Sequence, residues 1–75
     1  MTRLSPTTAK KLIKFLKIHG YCEERQSGSH LTLRNDTEHK SITIPVHPSR
    51  KIGKGLLKHI LNEAGFTVEE FNKEV

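Results

Sequence analysis

Apolar residues in this chain change their period twice. From Ala9 they recur at i, i+3, i+4 and i+7, as Ala9, Leu12, Ile13 and Leu16. They then alternate, as Leu31 and Leu33 and again as Ile42, Ile44 and Val46. From Ile52 the wider spacing returns through Leu56, Leu57, Ile60, Leu61 and Ala64. A helix repeats every 3.6 residues and a strand every two, so this pattern predicts helix, strands, helix in that order.

Local signals set the boundaries. Ser5, Pro6, Thr7 and Thr8 offer capping and first-turn residues for a helix over 7–19, and Gly20 stands where a left-handed C-terminal cap belongs. The polar run from Tyr21 to Gln26 reads as an edge strand, and Ser27-Gly28 as a tight turn before the strand of Leu31 and Leu33. Residues 35–40 are turn material, and residues 41–47 form the third strand. The second amphipathic helix stops at Gly65. Thr67 and Glu70 then have capping-box spacing, with Phe66 placed to staple onto Phe71, so a short helical turn begins at Thr67. Each strand has only one apolar face. The expected fold is therefore α+β: a three-stranded antiparallel sheet with two helices on one face, as in double-stranded-RNA-binding domains. His30, Thr32, Arg34, Thr43 and His47 fall on the other, open face.

With 75 residues the chain has room for a single domain over 1–75, too small for a large multi-step enzyme. The one cysteine, Cys22, excludes an internal disulfide framework and a thiolate zinc site. No apolar segment is long enough for a membrane helix or a signal peptide, which makes a cytoplasmic location the expectation. Net charge is +5, unevenly spread: residues 1–58 hold 12 Lys and Arg against 4 acids, and residues 59–75 hold 1 against 4. A basic body favours a polyanionic partner.

Chemistry near neutral pH rests on the five histidines. His19 ends the first helix, where a cation suits the dipole; His39 lies in a polar turn, and His59 beside an apolar helical stripe. His30 and His47 remain. His30 follows Gly28-Ser29 at a strand start, where glycine-turn N–H groups can approach a phosphate and the ring projects to the open face. Pairing Leu31 with Val46 and Leu33 with Ile44 sets His30 opposite His47, so that two imidazoles could divide base and acid duties. Structural and catalytic roles both stay open on these grounds. No histidine pair has zinc-motif spacing, so neither a metal nor another cofactor is expected. Lys51, Lys54 and Lys58 fall at i, i+3 and i+7 at the start of the second helix. With Gly53 and Gly55 leaving that end open, they are candidate phosphate contacts, as Ser29 is at the turn. Lys10, Lys14 and Lys17, at i, i+4 and i+7, form a similar stripe on the first helix and read more simply as a solvated face.

A resemblance ties these pieces together. Gly20-Tyr21, Arg25-Gln26-Ser27-Gly28-Ser29-His30, Ile42-Thr43-Ile44-Pro45-Val46-His47 and the run from Gly55 through Ala64-Gly65-Phe66-Thr67-Val68-Glu69-Glu70-Phe71 resemble, in order and spacing, the HicA family of toxins. The resemblance covers nearly the whole chain. It implies a double-stranded-RNA-binding-like fold and an mRNA interferase of a type II toxin-antitoxin system, which inhibits translation and growth and is neutralised by a HicB antitoxin. It also implies that the active histidine is that of the Gly-Ser-His motif, His30. Leu56 departs from the family, which commonly carries Thr after the helix-initiating glycine.

Three readings follow from different classes: a metal-independent endoribonuclease acting on mRNA, a non-catalytic RNA-binding module, and a DNA-binding regulator with a helix-turn-helix at Gly65. The third is weakest, because the would-be recognition helix carries Glu69, Glu70 and Glu74 against Lys73. His30 separates the first two, since cleavage needs a titratable group at the glycine turn and binding does not.

Overall fold

The computed structural model describes residues 7–46 and 51–74. The elements run α1 (Ala9–Ile18), β1 (Cys22–Ser27), β2 (His30–Asn35), β3 (Lys40–Pro45), α2 (Lys54–Ala64) and α3 (Val68–Glu74). The strands form one antiparallel sheet in the order β1-β2-β3. This is the expected α+β arrangement, with α3 as the terminal turn.

The alternating residues do what their period requires. Leu31, Leu33, Ile42 and Ile44 are buried against Leu12, Phe15 and Leu16 of α1 and Leu57, Ile60, Leu61 and Ala64 of α2. Full burial of such a side chain is worth about 1.5–3 kcal/mol, so this shared layer fixes both helices on one face. His30, Arg34, Ser41 and Thr43 stay exposed on the other. Phe15 joins α1 to the C-terminal segment, its ring meeting Phe66 at 5.0 Å and Phe71 at 5.2 Å. The two staple residues therefore meet through Phe15.

The caps follow the sequence closely. Thr8 accepts the Lys11 N–H at 3.2 Å, and Gly20 and Gly65 adopt φ of 98° and 87° past the ends of α1 and α2. The Thr67 N–H donates to Glu70 Oε1 at 2.9 Å and the Glu70 N–H to Thr67 Oγ1 at 3.1 Å, a complete capping box.

The starts of the two longer helices differ from expectation for one reason. Thr7 and Ile52 pair with each other through both backbone N–H groups, at 3.1 and 2.6 Å. That antiparallel contact holds both residues extended, so α1 starts at Ala9 and not at residue 7, and α2 at Lys54 and not at Ile52.

The β2–β3 register also differs. Leu31 pairs with Ile44 and Leu33 with Ile42, so Pro45, rather than His47, lies opposite His30. Turn chemistry decides this. Asn35 pairs with Lys40 across residues 36–39, Asn35 Oδ1 accepts the Glu38 N–H at 3.1 Å, and His39 takes a left-handed φ of 53°. A shift of two residues keeps every side chain on its own face, so alternation alone cannot separate the registers. His47 itself lies outside the described residues.

Candidate active site

Ser27 and His30 flank a two-residue turn, with Gly28 at φ 59° in its first position, the place a type II′ hairpin gives to glycine. The Gln26 side-chain amide donates to the Gly28 carbonyl at 3.1 Å. The Ser29 carbonyl accepts the Val46 N–H at 2.6 Å and ties the turn to the end of β3. Ser29, the second residue of the turn, is half-buried. His30 is exposed at the first position of β2. Ser27 on β1 and Pro45 on β3 are its direct cross-strand neighbours. Farther along the same face, Thr32 pairs with Arg25 and Thr43, and the two threonine hydroxyls are 3.2 Å apart.

The other described histidines occupy different settings. The His19 ring packs between Phe15 and Phe66, with centroids 4.7 Å from each, so it serves the aromatic cluster as well as the helix end. His59 Nε2 lies 3.2 Å from Glu63 Oε1 one turn along α2. His39 is an exposed turn residue at the far end of the sheet. Among the described residues no three His, Cys, Asp or Glu side chains come together as a metal site would require. A cleft of about 300 Å³ lined by His19, Asn35, Lys40 and Gly65 lies at that same far end, remote from His30.

Lys51, Lys54 and Lys58 are all exposed. Tyr21 donates to the Ala64 carbonyl at 3.4 Å, which sets the C-terminal end of α2 beside the Asn35 end of β2. Lys54 opens α2 and Lys51 precedes it, at the other end of that helix. These lysines stand on the helix layer and not on the open sheet face.

In the sequence Arg25 stands out only as part of a motif. The signal was present: a two-residue turn that pairs Ser27 with His30 also pairs Arg25 with Thr32, on the open face. Less legible was the bulge between Glu23 and Arg25, where Glu24 is the extra residue. It brings Glu24 to the open face, where Glu24 Oε1 accepts from Arg34 Nη1 at 3.1 Å.

A family model described as the HicA toxin of bacterial toxin-antitoxin systems matches residues 9–66. The matched span runs from the start of α1 to the residue after the α2 cap, and so includes the hairpin turn and His30. No curated protein matches the chain.

Proposed function

Since the chain belongs to the HicA toxin family of bacterial toxin-antitoxin systems, we propose that it is a ribonuclease that cleaves mRNA through His30 and so arrests translation and growth. A toxin of such a system has an antitoxin partner. We take that partner to be HicB-like and the site of action to be the cytoplasm, where mRNA is found.

One observation carries the reading. His30 is, among the described histidines, the one placed both in the open and on the solvent face of the sheet, directly after a glycine turn. An imidazole there can reach a ribose without disturbing the core, and an imidazole can both accept a proton and return it. The reaction is transesterification. His30 takes the proton from the 2′-hydroxyl as O2′ bonds to the adjacent phosphorus. The P–O5′ bond then breaks, and the departing O5′ takes up a proton from the imidazolium just formed. The products are a 2′,3′-cyclic phosphate and a 5′-hydroxyl. A well-placed base of this kind supplies roughly 10²–10⁴ in rate.

End-group analysis of RNA cut by the purified toxin in EDTA tests this. Cyclic phosphate and 5′-hydroxyl ends formed at an undiminished rate are expected. Chelation that stops cleavage, with recovery on adding metal, would overturn the mechanism. RNA that is bound but never cut would leave a binding module.

A further inference from the structure

Two arginines lie on the open face of the sheet, and their surroundings differ. Arg34 is neutralised by two carboxylates, with Nη1 at 3.1 Å from Glu24 Oε1 and Nε at 2.9 Å from Asp36 Oδ1. Glu23, the remaining acid of β1, is taken by Lys17. Arg25 is exposed, and its side chain has no ion-pair or hydrogen-bond partner among the described residues.

Its position follows from the hairpin. Ser27 faces His30, and two residues earlier Arg25 faces Thr32. Arg25 is thus the diagonal neighbour of His30 on one face, about 7–8 Å away between backbones, a gap that a long side chain spans. The adjacent bulge has a second effect. In an unbroken strand Glu24 would alternate to the opposite face from Arg25; as the bulged residue it turns to Arg34 instead. The acids of β1 are thereby drawn to other cations, and the one beside His30 stays uncompensated.

The geometry points to Arg25 as a second catalytic residue, whose guanidinium holds the non-bridging oxygens of the phosphodiester while His30 handles the proton. This rests on the ribonuclease reading above. As O2′ adds to phosphorus, the phosphoryl group passes from one negative charge toward two. A fixed cation placed where that charge grows lowers the barrier without exchanging a proton itself. The planar fork of arginine matches two phosphate oxygens at once, which a lysine ammonium does not. Thr32 and Thr43 carry no charge, and Arg34 spends its charge on two carboxylates, so neither could take over this part.

The test is steady-state cleavage of a single-stranded RNA oligonucleotide by the full chain carrying Arg25→Gln, Arg25→Lys or Arg25→Ala, with His30→Ala in parallel and unfolding midpoints for each. Arg25→Gln should lower kcat by about 10²–10³, as loss of one preorganised oxyanion donor does, with a much smaller change in KM. Arg25→Lys should recover only part of the loss, and guanidinium chloride below denaturing concentration should rescue Arg25→Ala where equal sodium chloride does not. An unchanged kcat, whether or not KM rises, would make Arg25 a surface charge and overturn the proposal, while an inactive His30→Ala in the same series would leave the histidine reading standing. Full-rate cleavage by folded His30→Ala would remove the histidine reading, and this arrangement with it.

Discussion

Ser27 and His30 face each other across the β1–β2 hairpin, separated in sequence by Gly28 and Ser29 alone. The position of the histidine is therefore set by a turn and not by packing, because His30 is exposed and the residues that flank it on the open face are small or polar. Such a site keeps its geometry only as long as the turn keeps its shape.

Gly28 is the point at which this can be checked. Its φ is 59°, and a Cβ added there meets nothing within 4 Å, so a substitution costs backbone strain without a clash. Gly28→Ala should destabilise the domain by about 1 kcal/mol, and Gly28→Asn by less, since Asn is among the residues that occupy positive-φ hairpin-turn positions. Urea unfolding midpoints measure both. Equal midpoints for Gly28→Ala and wild type would mean that the turn relaxes freely.

Thr67→Ala should cost about 1 kcal/mol, because it removes the side-chain acceptor of the Glu70 N–H at the start of α3. The same unfolding experiment reads it. α3 holds the buried Phe71 against Phe15, so the loss should appear in the global transition and not merely as fraying.

Lys51, Lys54 and Lys58 should contribute RNA affinity but not sequence preference, since ammonium groups meet phosphates as point charges. Replacing all three with Gln should flatten the slope of log affinity against log salt by about 2, at roughly 0.7 per single-strand phosphate contact. An unchanged slope would assign them to solvation.

Much of this was legible before any coordinates. The two changes of apolar period correspond to the two helices and the sheet between them, and Thr67 with Glu70 announced α3. What escaped is what alternation cannot encode. A register shift of two leaves Leu31, Leu33, Ile42 and Ile44 on the core face, so only the turn formed by Asn35, Glu38 and His39 could select Pro45 as the partner of His30. The Glu24 bulge likewise lies in a strand that is exposed throughout, where no apolar residue records the face. At the candidate site, the motif singles out His30 in the sequence, whereas the contrast between Arg25 and Arg34 depends on which carboxylates reach which cation.

The antitoxin should cover His30 and the basic surface near it. A basic toxin with a small exposed site is most simply inhibited by an acidic partner seated on that site, with electrostatic steering to speed capture. Hydroxyl-radical or exchange footprinting of the complex should protect the open sheet face around His30, Thr32 and Thr43. A fully accessible face in a tight complex would place inhibition elsewhere.

The most direct measurement is the single-turnover cleavage rate of His30→Ala on an mRNA fragment, at saturating toxin, with circular dichroism and an unfolding midpoint on the same preparation. An exposed imidazole contributes little to the core, so the fold and midpoint should match wild type while the rate falls by roughly 10²–10⁴. A folded His30→Ala protein that cleaves at the wild-type rate would contradict the assignment of the reaction to this histidine.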